Sequence, residues 1–122
     1  MSGIAVEDSL IPEDPEDLKL ITLARAAMVR TGANEGACVR DTDGRAYAAA
    51  SVHLEHLRLS AISVAVAMAV SSGAPGVEGA AVVGEEELST TDLEILRDLS
   101  ADAVTVWWAD RSGTVRSAIE LT

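Results

Sequence analysis

Residues 57–72, LRLSAISVAVAMAVSS, carry no charge beyond Arg58 and are apolar on every side of any regular structure they could form. Such a segment must be buried all round, so the rest of the chain has to wrap it. Its apolar part, residues 59–70, is too short for a bilayer, which needs about 20 residues; a run of roughly 10–14 suits a core helix. Ala61, Ala65 and Ala69 recur every four residues and form a small-residue ridge that lets a neighbouring helix or sheet come close. Ile62, Val66 and Val70 form a bulkier stripe beside it. Ala and Met favour helix while the β-branched residues also suit a buried strand, and the length of the run decides for helix.

With 122 residues, 48% of them hydrophobic, the chain is expected to fold as one domain over residues 14–122. It has no Phe, two Trp and one Tyr, so its core must be built from Val, Leu, Ile and Ala. A net charge of −11, with no cluster of basic residues, repels phosphate backbones and anionic membrane surfaces. The three aromatics are too few for a single-strand stacking surface. Nucleic acid and membrane are therefore not expected partners. Cys38 is the only cysteine, which excludes an intrachain disulfide and a thiolate metal cluster. The opening residues are acidic where a secretory signal would be basic and then apolar, so a cytoplasmic location is expected.

Residues 1–13 mix acids with Ile4, Val6, Leu10 and Ile11 without any period. They read as an acidic arm, loosely docked or clasped onto a neighbouring subunit. Asp14, Pro15 and Asp17 then start a helix as N-cap, first-turn proline and first-turn acid. Leu18, Ile21, Ala24 or Arg25, and Met28 give its inner stripe, and Thr31-Gly32 its stop. Two short β-type runs around Asp41-Thr42-Asp43-Gly44 predict a hairpin, ahead of the central helix. After Gly73-Ala74-Pro75-Gly76, residues 77–84 read as a buried parallel strand. Ser89 with Asp92 resembles a capping box opening a helix whose inner positions are Leu93, Leu96 and Leu99 or Ile95. Residues 102–110 form a strand, and residues 114–121 return as an edge strand with Val115, Ser117 and Ile119 in alternation. Trp107 and Trp108 take opposite faces, one in the core and the other under a helix or in a contact surface. The order is α-β-β-α-β-α-β-β.

On these residues the chain resembles the cytidine deaminase family. Gly36-Ala37-Cys38 through Asp43-Gly44-Arg45-Ala46-Tyr47 is similar to the family's VGAAL…DGxxY hairpin, and Ala69-Val70-Ser71-Ser72-Gly73 to the AVSxG that closes its central helix. The resemblance implies an α/β fold, a three-layer α-β-α arrangement around a five-stranded mixed sheet, with a zinc site where two helices begin. It also implies Cys-Ala-Glu or His-Ala-Glu opening the central helix and Pro-Cys-x-x-Cys opening the next. Counting back from Gly73 and Leu99 puts Ser60 and Ile62 on the first motif and Ser89 and Asp92 on the second. Ser51 and His53 fall on the family's ribose-binding Asn-x-Glu.

None of these positions matches. Thiolate or imidazole ligands hold zinc tetrahedrally and lower the pKa of its water from about 15.7 to about 7. Two serine hydroxyls and one carboxylate replace them poorly, and without metal the hydroxide population falls by about eight orders of magnitude. Ile62 stands where the proton-carrying Glu would be and cannot carry one; that transfer is worth typically ~10²–10⁴ in rate. The expectation is a catalytically inactive deaminase-like protein without cofactor, working as a homo-oligomeric binding or scaffold protein whose subunits meet through residues 57–72. The rival rests on His53-Leu54-Glu55, literally an H-x-E. It reads the chain as a nucleoside deaminase or related hydrolase, with His53 a zinc ligand and Glu55 the base. Against it stands a solvated loop or first helical turn containing His53, Glu55 and His56. Glu85-Glu86-Glu87 is expected to be a solvated loop, and Cys38 a small buried hydrophobe.

Overall fold

The computed structural model describes residues 11–122. Residues 1–10, most of the acidic arm, lie outside the described residues. The elements are α1 (Pro15–Thr31), β1 (Glu35–Asp41), β2 (Ala46–Ala50), β3 (Val52–His53), β4 (Arg58–Leu59), α2 (Ala61–Ser71), β5 (Val77–Gly84), α3 (Thr90–Leu99), β6 (Ser100–Ala109) and β7 (Val115–Leu121). Five strands form one mixed sheet in the order β2-β1-β5-β6-β7; only β5 and β6 run parallel. A right-handed crossover through α3 is the connection such a parallel pair needs. The expected order of elements holds, with one addition: β3 and β4 pair as a small separate hairpin between β2 and α2.

Helix α1 starts and stops where its sequence signals stand. Asp14 caps it, accepting the Glu16 N–H at 2.9 Å, and Gly32 at φ 70° ends it in the left-handed region. Its buried side is Leu20, Ile21, Ala24, Ala27 and Met28, while Leu18, expected on the inner stripe, is 45% exposed. The inner face is thus rotated from the expected one because α1 crosses the sheet over Gly36, whose missing side chain lets the strand approach the Ala24 carbonyl directly.

The two sheet faces carry separate cores. Leu20, Ile21, Ala24 and Met28 of α1 pack with Cys38, Ala81, Val83 and Trp107. On the other side α2 and α3 pack with Ala37, Val39, Ala80, Val82, Val104 and Val106. Strand β5 contributes alternately to both, which is why it reads as an uninterrupted apolar run. Trp107 lies in the α1-side core; the Trp108 indole N–H donates to the Gly84 carbonyl oxygen at 3.1 Å. The alternation expected in β7 fails. Val115 and Ala118 face the α1 side whereas Ile119 and Leu121 face α2 and α3, because the register against β6 shifts between Trp108 and Ala109. A one-residue bulge there changes the parity of every side chain beyond it.

The central helix is the main correction. It begins at Ala61, not Leu57; Arg58 and Leu59 are strand residues paired with His53 and Val52. It is not buried all round either. Ala61, Ile62, Ala65, Val66 and Ala69 face the chain's own core, whereas Ala67, Met68 and Val70 are exposed, Val70 to 56%. The alanine ridge that could have met another subunit therefore seats the helix on β1 and β2 of its own sheet, since small side chains permit the closest approach where the backbone needs it. What remains for any partner is the opposite, apolar face.

Candidate functional site

The beginnings of α2 and α3 meet, and each is capped by its own serine. Ser60 is the N-cap of α2: its Oγ accepts the Ser63 N–H at 3.1 Å and donates to Asp92 Oδ1 at 2.6 Å. Ser89 is the N-cap of α3, accepting the Asp92 N–H at 3.0 Å. Only half of the expected capping box forms, because the Asp92 carboxylate turns across to Ser60 instead of back to Ser89. Three of the four positions singled out in the sequence are thus brought together as a hydrogen-bonded cap joining two helices. Ile62, the fourth, is fully buried in the apolar core between α2 and the sheet.

Zinc does not fit this donor set. Oxygen ligands held at 2.0–2.2 Å around a tetrahedral ion stand about 3.4 Å apart. Ser60 Oγ and Asp92 Oδ1 are at 2.6 Å, the distance of a hydroxyl donating to a carboxylate. Among the described residues no three His, Cys, Asp or Glu side chains are placed to hold a metal ion.

Beside the cap opens a cleft of about 540 Å³, with Glu35, Ser51, His53, Arg58, Ser60 and Arg111 in its wall. The β3–β4 hairpin supplies His53 and Arg58, and the turn after β6 supplies Arg111. Ser51 is engaged: its backbone N–H and its hydroxyl both donate to the Glu35 carbonyl, extending the β1–β2 ladder by one step. Arg58 and Arg111 each donate to a backbone carbonyl, of Leu54 and Asn34. Glu55 and His56 are exposed in the hairpin turn and are not part of the cleft wall. The H-x-E pattern therefore delivers its His to the cleft but not its Glu. Cys38 is completely buried; desolvation pushes its thiol up to about 11, so it is an inert core residue.

Glu35, Glu85 and Glu86 are the carboxylates of the cleft wall, and Glu35, which sequence reasoning passed over, is the one bonded to a helix beginning. Its Oε1 accepts the first free N–H of α2, that of Ala61, at 2.8 Å. Burial is the main cause that raises its pKa, the Ala61 N–H opposes the shift, and the negative charges of Asp92 and Glu86 add to it. A signal was available: Glu35 stands directly before Gly36-Ala37-Cys38, at the Val of the family's VGAAL. A folded-state pKa raised above the unfolded one makes ionised Glu35 a burden at neutral pH, absent once pH falls below the ordinary carboxyl value. Glu35→Gln keeps an acceptor for Ala61 and removes the charge. The variant is expected to unfold at higher urea concentration than the parent at pH 7, with the difference vanishing near pH 4; a difference of the opposite sign would mean that the charge stabilises the site.

A family model described as cytidine deaminase-like matches residues 13–113. A search of curated protein sequences finds no match. Among solved structures the chain is similar to the cytidine deaminase of Burkholderia pseudomallei at 22% identity and a TM-score of 0.71, over 81% of this chain and 88% of that one. It is similar to that of Mycobacterium leprae at 15% identity and a TM-score of 0.64, over 81% and 90%. The cytidine deaminase of Mycobacterium tuberculosis matches at 20% identity and a TM-score of 0.63, over 81% and 87%.

Proposed function

The chain belongs to the cytidine deaminase-like family, and from that premise we propose that it is a member without deaminase chemistry, working as a homo-oligomeric binding or scaffold protein. The observation that carries this reading is the Ser60–Asp92 hydrogen bond, which uses the atoms that would otherwise hold a metal, with Ile62 sealed into the core beside it. What is left of the site is a helix-to-helix fastening and a polar cleft. Metal analysis of the purified chain, together with ultraviolet assay of cytidine, tests it. Neither zinc nor uridine is expected; stoichiometric zinc with uridine release would overturn the reading in favour of the altered-site enzyme.

The oligomeric part rests on the exposed face of α2. Met68 and Val70 are 40% and 56% exposed, and Ala67 lies between them on a helix with no charged side chain. Apolar surface of this kind gains roughly 25 cal/mol per Å² on burial against a second copy. Light scattering at micromolar concentration is expected to show an assembly, and Val70→Arg to reduce it to monomer with the fold intact. A monomeric parent chain sinks this part. Ala65→Arg is not a usable test, since Ala65 is fully buried under the helix and the change would disrupt the protomer itself. No helix among the described residues is long and apolar enough to cross a membrane.

A further inference from the structure

The cleft beside the Ser60–Asp92 cap holds side chains of both signs that do not meet. Glu35, Glu85 and Glu86 line it from the start of β1 and the loop after β5, ends that are neighbours because Glu35 stands opposite Gly84 in the sheet. His53 and Arg58 line it from the β3–β4 hairpin, and Arg111 from the β6–β7 turn. Among the described residues no ion pair joins any of these six side chains to another. Three of them are tied to the backbone instead: Glu35 Oε1 accepts the Ala61 N–H, Arg58 Nε donates to the Leu54 carbonyl oxygen, and Arg111 Nη1 donates to that of Asn34. Each keeps bonding capacity beyond that one bond. Among the described residues Glu35 Oε2 accepts no hydrogen bond, and the Nη groups of Arg58 donate none. The tethers thus keep the two signs apart and open to a ligand, in a cleft whose 540 Å³ lies in the range of small-molecule sites.

We propose, on the reading that the site has no metal chemistry, that this cleft binds a small zwitterion, an amino carboxylate whose ammonium group and carboxylate are separated by an aliphatic spacer. The ammonium group donates to Glu35 Oε2, with Glu85 and Glu86 nearby. The carboxylate takes the open Nη groups of Arg58, whose planar fork suits it, with His53 on the same hairpin. A cation is what the acidic side lacks: burial and the charges of Asp92 and Glu86 all push the Glu35 carboxyl up, against the Ala61 N–H, and a ligand ammonium supplies the opposite charge. Arg111, tied to Asn34 on the other flank, leaves the acids open on the Arg58 side. The spacing sets the ligand's length. His53 and Arg58 follow the end of β2, the strand beside β1, so the two signs stand one to two strand spacings apart, roughly 5–10 Å. A long-chain amino acid such as ε-aminocaproate spans that distance, and glycine, with its charges adjacent, does not. Val52 and Leu59, paired in the hairpin, are the apolar part of the wall and suit the spacer.

Isothermal titration of the full chain with ε-aminocaproate, its zinc content measured beforehand, is the test. The zinc-free chain is expected to bind this probe saturably with a Kd below about 1 mM, and roughly ten-fold or more tighter than hexylamine, caproate, glycine or cytidine. Arg58→Gln and Glu35→Gln should each weaken binding by roughly ten-fold or more. Both variants should stay folded, as their urea unfolding will show, because Arg58 is exposed and Glu35→Gln keeps an acceptor for Ala61. No binding to the zinc-free chain overturns the proposal and leaves the absence of metal chemistry standing, whereas binding that appears only with zinc in place overturns both. Hexylamine, caproate or cytidine binding as tightly as the zwitterion overturns it too, as does a folded Arg58→Gln or Glu35→Gln chain that binds like the parent.

Discussion

Gly36→Ala is expected to lower stability by about 3 kcal/mol or more, a large part of the 5–15 kcal/mol typical of a domain. A Cβ added to Gly36 would sit 1.9 Å from the Ala24 carbonyl oxygen and 3.0 Å from the Met28 Cβ. The first of these is backbone, so no rotamer change relieves it; α1 would have to lift from β1, opening the core formed by Leu20, Ile21, Ala24 and Met28. Gly76→Ala is the control. Its Cβ would meet Ala101 at 3.4 Å, an ordinary contact, and its expected cost is under about 1 kcal/mol. Urea unfolding of the two variants reads the contrast. Equal midpoints would show that α1 does not lie against Gly36.

Ile62→Glu, which restores the residue type that the family's proton transfer uses, is expected to cost about 4 kcal/mol at pH 7, the roughly 2.7 pH units above the ordinary carboxyl value over which the buried group must stay protonated, without producing any deamination. Ile62 is fully buried among Ala65, Ala69 and the apolar strands. Buried glutamates are documented with pKa values of 8–9 against an ordinary value near 4.3, and each unit is worth about 1.36 kcal/mol. The sign follows from linkage: a carboxyl whose folded-state pKa lies above its unfolded one costs most above the folded value and nothing below the unfolded one. The deficit should therefore shrink as pH falls from 7 towards 4. Ile62→Val should cost about 0.5–1.5 kcal/mol with no pH dependence. If Ile62→Glu were tolerated at pH 7, the side chain would be reaching the water of the cleft rather than the apolar core.

Much of this fold was legible along the chain. Helix α1 announces itself because Asp14, Pro15 and Gly32 each satisfy a local backbone requirement, and local requirements are written in consecutive residues. The same holds for the turn at Asp41. Its buried carboxylate collects the N–H groups of Asp43 and Arg45 and the Tyr47 hydroxyl; burial alone would raise its pKa, but these donors outweigh that and hold it below the usual range. At the candidate site Ser60 and Ser89 were legible as residues at the beginnings of α2 and α3, where a serine hydroxyl can satisfy a free backbone N–H.

Other features were not legible, for one recurring reason. The stretch LRLSAISVAVAMAVSS has no polar face, so its composition cannot say which side meets the sheet; only the approach of β1 and β2 selects the alanine ridge and leaves Met68 and Val70 outside. Arg58 and Leu59 look like helix until their pairing with His53 and Val52 claims them for a strand. Glu35 is unremarkable beside Gly36 and acquires a role only when the first turn of α2, 26 positions along the chain, presents the Ala61 N–H to it.

By itself the sequence determined the order of elements and the apolar layers of the sheet, since these depend on periodicity, caps and side-chain chemistry. Only the tertiary structure decided that Ser60 and Asp92, 32 positions apart, bond to each other, that Ile62 is sealed in and that Glu35 faces the cleft. Those facts depend on how two helix beginnings and a strand end meet in space, and no spacing along the chain encodes that meeting.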